Sequence, residues 1–178
     1  SGNTLIVDGA TARVELNNDN IRIGGLGNSG TTVKILNGAT LVAGTGLGVG
    51  YYTSGNKLLL SGAGSSFTTL GSIRVGFSDA GAANSNFLIL SNGASITFDA
   101  DIDVGTRNNS RYNEFIVTGS GSALTNFSAG GKGISIGSDE EANGNFVESN
   151  FMRVLDGGYV LASDITVSRN TGQYRNFW

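Results

Sequence analysis

The amino-acid sequence repeats one phrase six times, and this repetition is the strongest limit on the folds available to the chain. Each phrase holds an apolar segment that ends in Gly, a second short segment, and a third that mostly closes in Val-Gly or Ile-Gly. The first segments are "NTLIVDG" (3–9), "TVKILNG" (32–38), "NKLLLSG" (56–62), "NFLILSNG" (86–93), "NEFIVTG" (113–119) and "NFMRVLDG" (150–157). Such a period is typical of a solenoid, in which each repeat is one structural unit.

The third segments close at equivalent positions whose spacing varies. These positions are Gly24, Gly50, Gly76, Gly105, Gly137 and Ser168, at steps of 26, 26, 29, 32 and 31 residues. The spacing varies because the following loop varies, from the short "YYTSG" to the long "SDEEANGNFVES". We expect each closing Gly to adopt a positive φ at a corner of the chain.

Alternation within the segments identifies them as strands. Ile21 and Ile23 flank Arg22, which puts the apolar side chains on one side and the charge on the other. Three short strands per repeat, Gly-rich corners and no helical segment suit a coil whose strands pair in parallel with their equivalents in the next coil. The sequence therefore predicts an all-β, right-handed three-sided parallel β-helix (β-solenoid) of about six coils. Residues 1–178 form a single β-solenoid segment in this interpretation.

Asparagine recurs at the head of the first segment. It stands at Asn3, Asn56, Asn86, Asn113, Asn150 and Asn176, and Thr32 takes the one remaining position. Stacked amides can hydrogen-bond to one another along the axis of a rod, as they do in cross-β ladders. We interpret this column as structural and not as a binding site.

The residue types that are absent exclude many kinds of active site. The chain has no His and no Cys, so zinc sites, Ser-His triads and thiol nucleophiles are excluded. The formal net charge is −3 and the basic residues are scattered singly, which argues against nucleic acid as a partner. No apolar run approaches the roughly 18 residues of a membrane span. We predict no enzyme activity, no cofactor and no direct membrane insertion.

Three aspartates at alternate positions, Asp99, Asp101 and Asp103, are candidates for a catalytic carboxylate pair. Asp101 and Asp103 would lie roughly 6.7 Å apart on the outward side of a third strand, within the range of an inverting glycosidase. Arg74 occupies the position equivalent to Asp103 one coil earlier, and a neighbouring cation favours the ionised carboxylate over a general acid. We predict an Asp103–Arg74 pair on a solvated face, and no catalytic residues.

The acidic loop "SDEEANGN" is a candidate calcium site. It gathers the oxygen-bearing residues Asp139, Glu140, Glu141, Asn143 and Asn145. Their order matches neither the EF-hand loop nor the RTX nonapeptide. We therefore expect a solvated loop, and we predict no metal site.

Two aromatic residues, Tyr51 and Phe77, each follow the closing Gly of adjacent coils. Stacked on one edge of the rod, they would form an aromatic platform on which a sugar could lie. The simpler interpretation, which we favour, is that the rings shield a corner of the core.

Four stretches of the sequence resemble the repeats of a known family. They are "GNTLIVDGAT", "VKILNGATLVAGTGLGVGYYTSG", "LLLSGAGSSFTTLGSIRVGFSDAG" and "LILSNGASITFDADIDVG". Their alternating "NGAT" or "NGAS" and "GAGSSF" or "GSGSAL" corners look like those of autotransporter (type V secretion) passengers and PEP-CTERM-associated surface proteins. The resemblance implies a secreted bacterial β-helix with an adhesive or self-associating role, and it transfers no catalytic residue. The chain departs from the pattern in the acidic loop 138–149 and at Ser168.

Repeats and resemblance together predict a secreted or cell-surface structural or adhesive β-solenoid that acts by surface contact or self-association. Its partners would be copies of itself, stacked laterally or end to end, or host or matrix glycans and proteins. Both ends of the sequence lie inside a coil, so we expect part of a longer passenger or a subunit of a head-to-tail filament.

Two alternative functions of β-helices make specific demands on the sequence. A polysaccharide-binding or -cleaving β-helix of the lyase or tailspike kind needs clustered acidic and basic residues over neighbouring coils, and the charges here do not accumulate on one face. An ice-binding rod needs regular Thr ladders. The outward middle column of the third strand runs Arg22, Gly48, Arg74, Asp103, Ser135 and Thr166.

Overall fold

The chain winds into a β-solenoid of six coils with three strands in each coil. A computed structural model describes residues 2–25, 27–79, 81–107, 109–127, 133–138 and 147–167. These residues form eighteen short strands, β1 to β18 in chain order, and no helix. The predicted all-β, three-sided parallel architecture is confirmed, and the right-handed winding stays a prediction from the crossover rule.

The strands assemble into three parallel sheets of six strands, one sheet on each side of the rod. The first sheet contains β1 (Thr4–Asp8), β4 (Thr32–Leu36), β7 (Lys57–Ser61), β10 (Phe87–Ser91), β13 (Glu114–Thr118) and β16 (Phe151–Leu155). The second contains β2 (Arg13–Leu16), β5 (Thr40–Ala43), β8 (Ser66–Thr69), β11 (Ser95–Phe98), β14 (Ala123–Asn126) and β17 (Tyr159–Leu161). The third contains β3 (Asn20–Gly25), β6 (Gly46–Tyr51), β9 (Ser72–Phe77), β12 (Ile102–Thr106), β15 (Ile134–Ser138) and β18 (Ile165–Val167).

The strand register keeps equivalent residues of successive coils directly above one another. Val49 pairs with Val75, and Val75 pairs with Val104, so the closing glycines that follow these residues also align. Each strand therefore obtains its backbone hydrogen bonds from the coils above and below it. A single coil has no such partners, which is why the coils are stable only as a stack.

The core consists of apolar columns that run along the rod. The first strands of the four inner coils alternate between half-buried and buried residues, so that each points two side chains inward, as Leu58 and Leu60 do in β7. One column of the second sheet contains Val14, Leu41, Phe67, Ile96, Leu124 and Val160. Columns from the three sheets meet in one continuous cluster. Stacking thus buries residues that one coil would leave exposed.

The corners between first and second strands alternate between two lengths. Corners of three residues (37–39, 92–94 and 156–158) alternate with corners of four (9–12, 62–65 and 119–122). In the four-residue corner, the buried Ser65 hydroxyl donates to the Ser61 carbonyl oxygen and accepts a hydrogen bond from Gly38 N–H of the previous coil. Ser122 repeats this pattern against Gly93. A three-residue corner therefore donates a hydrogen bond to the four-residue corner of the next coil, and the structural repeat consists of two coils.

A ladder of buried asparagines joins the coils at the corner before each first strand. The Asn ladder consists of Asn56, Asn86, Asn113 and Asn150, all of them fully buried. In each step, one Oδ1 accepts hydrogen bonds from both the backbone N–H and the Nδ2 of the asparagine one coil earlier, at 2.9–3.1 Å. The Nδ2 groups also donate to loop carbonyl oxygens, as Asn113 does to Ala83 at 2.8 Å. The predicted ladder is confirmed for these four asparagines as a buried hydrogen-bond network, whereas Asn3, which precedes β1 at the equivalent position, is exposed.

The ladder position in the second coil corrects one residue of the prediction. The register pairs Thr32 with Lys57, so the residue below Asn56 is Thr31 and not Thr32. Thr31 N–H donates to Asn56 Oδ1 at 3.0 Å. The sequence pattern missed this by one position because "TT" offers two similar residues, and only strand pairing distinguishes them. Asn176 lies outside the described residues.

The closing glycines are required both by their backbone conformation and by the ladder. Gly24, Gly50, Gly76, Gly105 and Gly137 have φ between 67° and 76°, as expected. A Cβ on Gly76 would also lie 2.1 Å from Cγ of Asn113, and three of the other closing glycines meet a ladder asparagine at a similar distance. The asparagine amide occupies the space that a side chain would need. Glycine and asparagine thus form one structural unit. Ser168, which replaces the closing glycine in the sixth repeat, lies outside the described residues.

Replacing Asn56 by Leu is expected to destabilise the rod strongly. The Thr31 N–H and the Thr53 hydroxyl would lose their partner, and each buried group left without a hydrogen bond costs about 1–3 kcal/mol. Thermal unfolding of the variant should shift down by roughly 2–4 °C for each kcal/mol lost.

Asn17→Leu is the matched control, because Asn17 is exposed in a turn of the first coil. Its melting temperature should stay close to that of the wild type. Equal melting temperatures for Asn56→Leu and the wild type would contradict the structural role of the ladder.

Candidate functional site

The most distinctive surface of the rod lies at the corner that follows the third strands. Strand pairing places Gly25, Tyr51, Phe77 and Thr106 in one column, each directly after a closing glycine. Tyr52 is the next residue of the chain after Tyr51. These positions bring three aromatic rings together on adjacent coils.

The three rings form a compact cluster. Tyr51 and Phe77 are stacked with ring centroids 5.1 Å apart and an angle of 20° between the ring planes. Tyr52 contacts Tyr51 edge to face, with centroids 4.4 Å apart and an angle of 85°. Both arrangements are favourable for aromatic pairs.

Three arginines lie on this cluster. The guanidinium carbon of Arg22 is 4.9 Å from the Tyr51 ring centroid, and that of Arg74 is 4.5 Å from the Phe77 centroid. The guanidinium of Arg107 contacts the Phe77 ring as well, at 5.2 Å. These distances are within the range of cation–π interactions. We refer to the six residues Arg22, Tyr51, Tyr52, Arg74, Phe77 and Arg107 as the aromatic–arginine strip.

Asp79, in the loop after β9, connects two residues of the strip through hydrogen bonds. Its carboxylate accepts hydrogen bonds from the Tyr52 hydroxyl, at 2.8 Å, and from Arg107. Burial acts to raise the pKa of the Asp79 carboxyl, but the Arg107 and Tyr52 hydrogen bonds and the Arg107 charge outweigh it and hold that pKa below its usual value. The Tyr51 hydroxyl, burial and the Asp79 carboxylate, in that order, raise the pKa of the Tyr52 hydroxyl well above its usual value.

Tyr52 adopts a conformation that is uncommon for a large side chain. Its φ is 63°, in the left-handed region, which costs a non-glycine residue about 1–2 kcal/mol. Hydrogen bonds from its N–H to the Phe77 carbonyl oxygen and from its hydroxyl to Asp79 hold it there. Strained backbone of this kind is concentrated at functional sites in proteins.

The two predicted roles of the aromatic pair divide between the two residues. Phe77 is only 5% exposed and lies under Arg74 and Arg107, so it shields the corner. Tyr51 is half-buried and keeps part of its ring at the surface. Only Tyr51 is available for the platform role, because the residue below it in the column is Gly25.

A groove opens at the end of the strip beside Tyr51. It has a volume of about 580 Å³, and its lining includes Arg22, Gly25, Asn28, Tyr51 and Tyr52. The sequence analysis missed this groove. Its only sequence signal is Gly25, which stands where the next coils carry Tyr51 and Phe77, and that equivalence becomes visible only through the strand register.

The predicted carboxylates do not form an isolated pair. Asp103 aligns with Arg74, as expected, and the nearest atoms of the two side chains are 3.7 Å apart. At this distance the two side chains form an ion pair, but they are too far apart for a hydrogen bond. Asp101 is exposed just before β12 and accepts a long hydrogen bond, 3.4 Å, from Gly133 N–H, whereas Asp99 lies half-buried at the corner before it.

The calcium candidates Asp139, Glu140, Glu141, Asn143 and Asn145 lie outside the described residues. Within the described part of the chain, no group of three or more Asp, Glu, His or Cys side chains is close enough to hold a metal ion. The same part contains no helix long and apolar enough to cross a membrane.

The expected outward column of the third sheet is confirmed, from Arg22 to Thr166. The structure also reveals a threonine column that the sequence analysis overlooked, on the outward side of the second sheet. It contains Thr68, Thr97 and Thr125 in register. Val42 and Leu161 occupy the adjacent coils of this column, so the threonine ladder covers three coils.

Comparison of the chain with protein-family models, with curated proteins and with solved structures found no match. The resemblance of its repeats to those of autotransporter passengers therefore stays a prediction.

The stability contributed by Asp79 is expected to depend on pH. Because the folded-state pKa of Asp79 lies below the ordinary value of 3.8, its ionised form stabilises the fold above that value. This contribution is lost as the pH falls through the lowered folded-state pKa. The wild type should melt at a higher temperature than Asp79→Asn at neutral pH, and the difference should vanish in strong acid.

Melting curves of both proteins from neutral pH down to about pH 2 measure this difference. In an Arg107→Gln background, the effect of Asp79→Asn should be smaller, because the main partner of the carboxylate is gone. A difference that persists unchanged at the lowest pH would show that ionisation of Asp79 is not its cause.

Proposed function

We propose that this β-solenoid is a secreted or cell-surface structural or adhesive protein that acts by surface contact. The repeats that resemble autotransporter passengers and PEP-CTERM-associated surface proteins support this proposal. So does the architecture, since a stack of parallel coils presents outward side chains in fixed columns on a rigid scaffold.

The observation that carries the proposal is the aromatic–arginine strip. Exposed aromatic rings and arginines are the residue types enriched where proteins bind partners, because they combine large contact area with directional polar groups. Here Tyr51 and Tyr52 keep part of their rings at the surface, beside arginines of the neighbouring coils and next to an open groove. The strip favours a glycan as the partner, since a sugar ring presents apolar C–H groups to an aromatic face and hydroxyls to polar neighbours.

The alternative function, a polysaccharide-cleaving β-helix, is less well supported than binding. A general acid requires a carboxyl whose pKa is raised, in a site that accepts the scissile bond. Asp103 instead faces Arg74, and Asp79 is held ionised by Arg107. The arrangement therefore suits contact with a polysaccharide better than its hydrolysis.

A glycan array probed with the labelled chain tests this function. We expect retention on at least one class of glycan, and Tyr51→Ala should reduce it several-fold to tenfold because the exposed ring is removed. Tyr159→Ala is the matched control, since Tyr159 is 54% exposed on the second sheet, outside the strip. Retained glycans should yield no new reducing ends.

Two outcomes would contradict the proposal. The first is the absence of retention on every glycan class, together with no binding to intact cells or matrix. The second is release of reducing ends that Asp103→Asn abolishes, which would favour the cleaving function.

Self-association is the second candidate, and a specific surface favours it. On the outward side of the first sheet, Leu59, Ile89 and Ile116 align in register and give strands that are apolar on both sides. Phe87 and Phe151 flank this column, and we refer to the five residues as the apolar outer face. Apolar surface of this kind marks contact sites in soluble proteins.

The occupant that fits the apolar outer face is the same face of a second copy. Two flat sheets pack face to face about 10 Å apart with interdigitating side chains. Lys57 lies in the third strand of this sheet and Glu114 in the fifth, so an antiparallel second copy centred on β10 brings these two opposite charges together.

Sedimentation velocity over a range of concentrations measures this association. The wild type should form dimers or larger species, and Ile89→Lys should remain monomeric because it places a charge in the centre of the contact. Thr97→Lys, at an outward position of the second sheet in the same coil, should behave like the wild type. A wild type that stays monomeric, or an Ile89→Lys variant that associates equally, would exclude this interface.

A further inference from the structure

We propose that the groove beside Tyr51 binds an acidic saccharide, with Arg22 holding the carboxylate of a uronate unit and Tyr51 contacting its sugar ring. This inference rests on the proposed glycan-binding function and names the class of glycan. It depends on three features of the groove: an arginine that has no acidic partner among the described residues, a gap in the aromatic column, and polar residues in the lining.

Arg22 differs from the other arginines of the described residues in lacking a carboxylate partner. The pairs are Arg13–Glu15, Arg74–Asp103, Arg107–Asp79, Arg111–Glu148 and Arg153–Glu114. In the described part of the chain, Arg22 instead contacts the Tyr51 ring and is exposed to the groove. An arginine presents a planar fork of N–H donors that matches a carboxylate in two parallel hydrogen bonds. The position of Arg22 therefore suits an anionic ligand.

The gap exists because the aromatic column stops at Gly25. In the next coils the same column position carries Tyr51 and Phe77, which stack on each other. Below Tyr51 the column position is a glycine, and a Cβ built on Gly25 would meet no described atom within 4 Å apart from those of the adjoining residues. A ring can therefore continue the stack beneath Tyr51 when the Arg22 guanidinium, which lies over the Tyr51 ring, turns toward the carboxylate of the ligand. A sugar ring has the thickness and the apolar C–H face for this position.

Residues with polar side chains also line the groove. Asn3 and Asn28 carry amides and Thr31 carries a hydroxyl. Tyr52 lines it as well, held in its strained conformation by Asp79 and Phe77. Such groups bind sugar hydroxyls, which both donate and accept hydrogen bonds. The combination of one cation, one aromatic face and several neutral polar groups fits a ring that carries one negative charge and several hydroxyls.

Titration calorimetry at low salt with tetramannuronate, its methyl ester and neutral cellotetraose tests this site. The methyl ester keeps the rings and hydroxyls of the acid but removes its charges. We expect the wild type to bind tetramannuronate at least tenfold more tightly than either uncharged probe, because charge-assisted hydrogen bonds are the strong ones. The preference should weaken as salt is added.

Arg22→Gln should lose that preference, and Arg22→Lys should keep part of it, since lysine retains the charge without the fork. Gly25→Phe should abolish binding by filling the gap with a third ring, whereas Gly25→Ala should bind normally. The open space around Gly25 allows both variants to fold, which matching melting curves verify. Arg13→Gln, on the second sheet, is the charge control and should bind as the wild type does.

The results separate this inference from the broader function. Equal affinity for tetramannuronate and its ester, or full binding by folded Arg22→Gln or Gly25→Phe, would overturn the acidic-saccharide site. If the glycan array still retained the chain on neutral glycans in a Tyr51-dependent manner, the adhesive function would stand without it. Loss of the tetramannuronate preference in Arg22→Gln and loss of binding in Gly25→Phe, with normal binding by Gly25→Ala and Arg13→Gln, would support the site.

Discussion

The hydrogen bonds of the buried Asn ladder are the interaction on which the rest of the structure depends. Each asparagine Oδ1 accepts hydrogen bonds from the backbone N–H and the side chain of the asparagine in the coil below, and the Nδ2 also holds the loop that leads into that coil. These bonds fix the register of the third to sixth coils, from Asn56 to Asn150. Because a buried amide without partners is costly, only one register satisfies the whole ladder. The closing glycines follow from it, since their missing Cβ leaves the space that the amides occupy.

The constant strand register aligns equivalent residues of successive coils on the surface of the rod. A residue type that recurs at one position of the repeat becomes a column along the rod, and a residue that departs from it becomes a local feature. The apolar outer face arises in the first way, from Leu59, Ile89 and Ile116. The groove arises in the second, where Gly25 interrupts the column of Tyr51 and Phe77. Function in a solenoid of this kind therefore resides in departures from the repeat as much as in the repeat itself.

Much of the fold was predictable because the physical cause of each element lies within a few residues. Alternation of apolar side chains identified the strands, and glycine at the third-strand corners indicated positive φ. The partnership of Arg74 with Asp103 was predictable too, since equal spacing from the closing glycines aligns them. The error at Thr32 and the overlooked threonine column have a common origin. Pairing between coils decides which of two adjacent threonines takes the ladder position. It also decides which side chains of the second strands align into an outward column.

The sequence by itself determined the coil, its three sides and its asparagine and glycine columns. Each of these features depends on interactions within a few residues, and the same residues recur in each of the six repeats. Only the tertiary structure decided that alternating corners are hydrogen-bonded partners and that Phe77 is buried while Tyr51 keeps part of its ring at the surface. It also decided that Arg22 lines a groove and has no acidic partner in the described part of the chain. These features join side chains of different coils, about 25 to 30 residues apart in sequence. Their contacts exist only after the coils have stacked, since stacking sets the height of each side chain relative to the next.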